Sequence, residues 1–296
     1  MNAVVSDPFD LLRRGYDAYL AQFRAGSLEP EDPYLPFDFT RFLQHQWRLF
    51  GGAFVQGQLH EMTNVLNDWH QRLNKWHAWN GILPNFSELD AWALRKEFLE
   101  ADAHLCLISP SALRDKLTFV ATNGIHQARL ASDKSYRDEL KGDPKKPGGK
   151  AKQFPRQENE QRLEALLSPW ANGQQFMGLL RGLDDKAYRD ATLDYRNEHS
   201  HALGPNLEIG ETRFVTRRVR QATELVADQH GRLHHQPIPD RMSVSYGFGP
   251  RPPLDSEAAR QASLSQFRIA RKCFETYVAI LDVVRQHLPS TESKPT

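Results

Sequence analysis

Phe267, Ala270, Phe274, Tyr277, Leu281, Val284 and Leu288 recur in alternating steps of three and four. Only an α-helix carries such residues on one face. A face that regular is a bundle seam, so the chain has to supply further helices to cover it. Pro252-Pro253 ends whatever precedes this helix, and Asp255 or Ser256 can cap its start.

Those further helices are legible upstream. Asp38, after Pro36, can cap a helix in which Phe39, Phe42, Leu43, Trp47, Phe50, Phe54, Met62, Val65, Leu66 and Trp69 fall mostly three or four apart, with Gly51-Gly52 as a bend or break. Ser87 with Asp90 resembles a capping box, and Phe86, Leu89, Trp92 and Leu99 continue the apolar pattern in the next helix. Ser109-Pro110 reads as an N-cap and first-turn proline, opening a helix to about Leu140 with Leu113, Leu117, Val120 and Ile125 on one side. Helical signals return over 157–167, 174–180 and 184 to about 203, where Gly204-Pro205 ends them. The tryptophans (47, 69, 76, 79, 92 and 170) read as core or bundle-interface anchors.

Two stretches break the helical texture. Residues 141–155, KGDPKKPGGKAKQFP, hold five lysines, three glycines and three prolines, the composition of a flexible basic loop. Between 212 and 249, the runs Phe214-Val215-Thr216, Leu225-Val226 and Met242 to Tyr246 flank a turn-like Gln229-His230-Gly231, which predicts a small β-hairpin inserted before the last helix. The expected fold class is mostly α: a helical bundle over 105–288 with the β-like insertion, a helical N-terminal extension over 1–104, and a disordered tail over 289–296.

At 296 residues the chain can bury a sizeable core, and its net charge of +1 gives no global pull toward polyanions. Cys106 and Cys273 lie among apolar neighbours and are expected to be buried free thiols. Nothing near the start reads as a signal peptide and no run is long enough to span a bilayer, so the expected compartment is cytoplasmic, with no membrane partner.

Ionisable groups crowd together in Arg196-Asn197-Glu198-His199-Ser200-His201, near the end of a predicted helix. Here the chain resembles the HEPN superfamily, whose signature is an arginine, a polar residue, three further residues and a histidine; Arg196, Asn197 and His201 stand at those positions. A second match, Arg72-Leu73-Asn74-Lys75-Trp76-His77, has leucine where the family has a polar residue. The resemblance covers about Ser109 to Leu288 and leaves 1–104 outside it.

What the resemblance implies is a HEPN-like helical bundle acting as a metal-independent endoribonuclease, a homodimer in which two motif helices form a composite cleft. It also implies service as a toxin or antiphage defence effector, with an antitoxin protein as a partner. Catalysis would fall to Arg196, Asn197 and His201. Imidazole takes and gives protons near neutral pH, the work of a general acid or base at His201. A guanidinium forks phosphate oxygens, the work of Arg196, while Asn197 would orient groups by hydrogen bonds. Positions five apart on a helix lie roughly 140° apart around its axis, so Arg196 and His201 of one chain do not share a face by default; the long Arg196 side chain could reach around, or a second subunit's Arg196 could complete the site, and the resemblance favours the dimer. Glu198 and His199 are candidate supporting groups, with a solvated carboxylate and a packing histidine as the plainer readings.

Arg213, Arg217, Arg218 and Arg220, with Phe214 among them, form the densest basic run; they read equally as an RNA-backbone surface or as a solvated strand face. No metal or other cofactor is expected: His199 and His201 point roughly 160° apart on a helix, and His234 and His235 are adjacent, so on a strand they face opposite sides. The rivals to the nuclease are a catalytically inactive HEPN-like module that binds RNA or nucleotide, and a helical scaffold for a partner protein.

Overall fold

In a computed structural model, residues 7–26 and 32–290 are described. The expected tail from 291 onward lies outside them, as do 1–6 and 27–31 of the expected N-terminal extension. The chain is mostly helical with one small antiparallel sheet, and it divides into two compact units, 1–194 with 256–296, and 195–255.

The first unit holds α1 (Pro8–Ala25), α2 (Gly51–Ile82), α3 (Glu88–Leu94), α4 (Glu100–Ser132), α5 (Arg156–Leu167), α6 (Gly173–Gly182) and α7 (Lys186–Ala191). The bundle seam, α9 (Ser256–Gln286), completes it. In α9, Phe267, Ala270, Phe274, Tyr277, Leu281 and Val284 are all buried, as the spacing requires. They pack on α2 and α4, which also touch each other, so the core is a three-helix junction with α6 against α9 and α1 against α2. Each fully buried Leu, Phe or Met contributes about 1.5–3 kcal/mol. The packing is specific: Trp69 meets Phe267 edge-on at 5.6 Å, and the Trp76 indole donates to the Ser256 hydroxyl at 2.8 Å. Thus α2, which falls within the expected extension, belongs to the same core as the bundle. Cys106 and Cys273 are buried free thiols.

Five expected features of the helices shift. The helix expected from Phe39 begins only at Gly51, after a single 3-10 turn at Thr40–Phe42. A Cβ on Gly52 would meet the Phe42 carbonyl oxygen and the Trp47 ring at 2.8 Å, so the preceding loop lies across the helix start where only glycine fits. Ser87 caps α3 through the Asp90 amide as expected, but α3 runs on through a π-helical segment, Arg95–Leu99, into α4.

Pro110 does not open a helix; it sits inside α4. A proline there leaves the carbonyl four residues earlier without its donor. The buried Ser263 hydroxyl of α9 supplies one, donating to the Cys106 carbonyl at 3.1 Å. At its far end α4 stops at Ser132, short of Leu140, where the backbone turns extended at Asp133. The helix expected over 184–203 is broken after Ala191, because Leu193 and Asp194 both take left-handed backbone at φ +54°. That conformation costs a branched residue such as leucine on the order of 1–3 kcal/mol.

The second unit begins with α8 (Tyr195–His201), a helix of 7 residues, and continues into a hairpin of β1 (Val215–Ala227) and β2 (Leu233–Phe248). At the turn, the Asp228 carboxylate accepts from the His230 and Arg232 amides at 2.8 and 2.9 Å, and Gly231 takes φ +74°. The pairing runs from Val215 opposite Phe248 to Ala227 opposite Leu233, with a bulge between Gln221 and Thr223. Among the described residues, no helix is long and apolar enough to cross a membrane.

Candidate functional site

The segment 195–201 lies on α8, where its side chains divide into those held and those free. Tyr195 is buried, with its ring 4.0 Å from the His199 ring. His199 Nε2 donates to the Pro205 carbonyl at 3.0 Å, and a Cβ on Gly204 would lie 2.1 Å from the His199 ring. His199 is therefore clamped between Tyr195 and the Gly204-Pro205 turn that ends the helix.

Glu198 is held more firmly. Its side chain is only 16% exposed, the Arg213 guanidinium pairs with its Oε2, and Arg251 Nη1 stands 3.8 Å from Oε1. Arg251 and Thr212 exchange backbone hydrogen bonds at 2.6 and 3.1 Å, which brings both guanidinium groups to the root of the hairpin. A half-buried carboxylate with two cations is a charge-assisted lock. Of the basic run, Arg213 is thus committed to structure.

Arg196 and His201 face solvent, and Arg196 Nη1 donates to Asn197 Oδ1 at 2.8 Å. Because 195–201 is helical, the roughly 140° between the Arg196 and His201 positions around the axis stands. The second string match is a structural element instead: Arg72 Nε donates to Asp68 at 2.9 Å, and its Nη1 pairs with Asp102.

The hairpin next to α8 in sequence has two unlike faces. Directly opposed residues share a face in an antiparallel pair. Val215 with Phe248, Arg217 with Tyr246, Val219 with Val244 and Gln221 with Met242 make one; Thr216 with Gly247, Arg218 with Ser245 and Arg220 with Ser243 make the other. The first is largely apolar yet exposed, with Phe248 83% and Tyr246 59% accessible. The second is polar and basic, and Arg220 donates to Ser245 Oγ at 2.9 Å. No acidic residue occurs within 214–221 or 242–248. Exposed rings can stack on flat ligands, and the arginines of the other face can pair with anionic groups. Arg251, Tyr246 and Phe248 were not among the residues singled out for the site, although the alternation Met242, Val244, Tyr246, Phe248 signals such a face.

Among the described residues, no three His, Cys, Asp or Glu side chains gather closely enough to hold a metal ion. Compared with protein-family models, curated proteins and solved structures, the chain matches none.

Proposed function

We propose that this chain is a HEPN-type, metal-independent endoribonuclease, and that residues 195–255 are its RNA-handling unit. One observation carries the reading. The ion pairs of Glu198 with Arg213 and Arg251 join the helix bearing Arg196, Asn197 and His201 to the root of an arginine-bearing, aromatic hairpin. Groups suited to phosphate chemistry and groups suited to holding single strands therefore belong to one compact unit.

In this reading two protomers pair their α8 helices, so that Arg196 of one chain and His201 of the other meet a single phosphate. An imidazole takes the proton of the RNA 2′-hydroxyl as O2′ bonds to phosphorus. The bond from phosphorus to the 5′-oxygen breaks, and that oxygen receives a proton from the His201 imidazolium of the other protomer, which the paired helices bring to the same cleft. The products are a 2′,3′-cyclic phosphate and a 5′-hydroxyl. Arg196 stabilises the charge on the phosphoryl oxygens, with its fork oriented by Asn197. RNA binding without cleavage is the second reading, favoured by α8 being one short helix instead of the end of a long one.

The test is incubation of purified protein and its His201→Ala variant with total RNA in EDTA. Cleavage that survives the chelator, leaves cyclic phosphate ends and disappears in the variant supports the nuclease. RNA binding with no cleavage by wild type supports the second reading. A strict monomer in sedimentation that still cuts RNA would overturn the composite cleft.

A further inference from the structure

We propose that the cavity bounded by α4, the 140–155 loop and α5 binds a small phosphorylated molecule. It lies wholly within the first unit, apart from the residues assigned to RNA, and rests on none of them. Its volume of about 580 Å³ is that of a small-molecule site.

The loop is folded around Phe154. Gly142 takes φ +108°, and a Cβ there would lie 2.5 Å from the Phe154 ring, so only glycine lets the ring pack down. The Gly142 carbonyl accepts from the Lys152 amide at 2.9 Å, which fastens the loop back on itself. Three cations then surround one ring: Arg162 at 4.4 Å, Lys152 at 4.9 Å and Lys141 at 5.8 Å from its centroid. Cation–π attraction of about 0.5–1 kcal/mol at such exposed sites does not neutralise charge.

The nearby carboxylates are largely spent elsewhere. Asp115 takes two hydrogen bonds from Arg156, at 2.6 and 2.7 Å. Asp143 accepts from the Leu140 amide at 2.7 Å, and Glu158 pairs with Lys141 at 3.2 Å. Among the described residues, neither Lys152 nor Arg162 has a carboxylate partner; Arg162 donates to the Lys141 carbonyl and to Asn159 Oδ1. That corner is an uncompensated pair of cations, one of them a guanidinium suited to phosphate oxygens. Phe119, which is 64% exposed, lines the same cavity and offers an apolar surface to an organic body. A phosphate ester with an apolar or flat moiety satisfies both ends.

The test is titration calorimetry on the full chain with inorganic pyrophosphate and with ADP. Both bind, ADP more tightly; Lys152→Ala and Arg162→Ala each weaken both at least tenfold, and Phe119→Ala removes the advantage of ADP. Lys145→Ala with Lys146→Ala, on the same loop but off the cavity wall, leaves affinity unchanged and RNA cleavage untouched. The exposed Lys152 keeps the test valid if the Arg162 variant misfolds. No binding of either probe at millimolar concentration overturns the site. So does equal weakening by the Lys145/Lys146 variant, which would mean general charge attraction only. Displacement of ADP by a 5′-phosphorylated but not a 5′-hydroxyl oligonucleotide would overturn the free small molecule in favour of an RNA end.

Discussion

Arg213 closes its guanidinium on the Glu198 carboxylate, 15 residues back along the chain. Arg213, which reads in the sequence equally as RNA surface or solvated strand face, is thereby a fastening, and the candidate supporting group Glu198 is what it fastens.

Glu198→Gln removes the charge while keeping the shape. Charge-assisted hydrogen bonds of this kind are worth about 1.5–3 kcal/mol. Amide exchange over 195–201 and at the hairpin root should quicken roughly ten- to hundredfold, while the melting of the first unit stays in place. Unchanged exchange would show that the ion pair does not hold the helix.

Salt and stacking separate the two faces of the hairpin. Each arginine that neutralises a phosphate of single-stranded RNA contributes about 0.7 to the slope of log affinity against log salt. Arg218→Ala with Arg220→Ala should flatten that slope by roughly 1.4, read by fluorescence anisotropy between 50 and 200 mM salt. Tyr246→Ala and Phe248→Ala should each cost about 1–3 kcal/mol of binding with no change of slope. If all four behave alike, the faces have no separate roles.

The first unit should lose stability in mild acid. Burial lowers the His70 pKa, and burial followed by the nearby Arg260 lowers that of His77, from an ordinary 6.5. With folded values below the unfolded one, the unfolded chain binds more protons in the window between them. Stability is thus whole above about 6.5 and falls as pH drops below it. Glu257 adds a later loss: burial pushes its carboxyl up, but hydrogen bonds from Arg260, Asn80 and Gln261 outweigh this and hold it at about 2, so its contribution fades between 4.5 and that value. Thermal melts from pH 8 to 5 should decline, and less steeply in His70→Gln.

Gly124 and Tyr277 form a steric pair at the core junction. The Tyr277 hydroxyl donates to the Val120 carbonyl at 3.2 Å, and a Cβ on Gly124 would lie 1.8 Å from the Tyr277 hydroxyl oxygen. Gly124→Ala should cost about 1–3 kcal/mol by overpacking, a fall in Tm of roughly 2–4 °C per kcal/mol at this size. Adding Tyr277→Phe should restore part of the loss. Additive losses would show that the hydroxyl is not the obstacle.

The sequence displayed best what repeats locally. The α9 face was readable because its spacing is self-contained, and the hairpin because its turn chemistry sits in three neighbouring residues. Ser109-Pro110 misled because tolerance of Pro110 depends on Ser263, 157 residues beyond the carbonyl it serves. The break before α8 was hidden because Leu193 and Asp194 take a backbone conformation that a glycine would have advertised. Arg196, Asn197 and His201 stood out as a string, but the grip on Glu198 did not, since its two arginines flank the hairpin, one before β1 and one after β2, far apart in sequence.

Residues 195–255 interrupt the first unit, whose last helix lies beyond them. A ribosome making this chain therefore delivers α2 and α4 with their apolar faces open and must synthesise the hairpin before α9 can cover them. At roughly 5–20 residues per second, the roughly 150 residues from Ser132 to Gln286 leave the nascent core uncovered for about 8–30 s. A premature stop within the hairpin would release a product that lacks α9, so its core never closes.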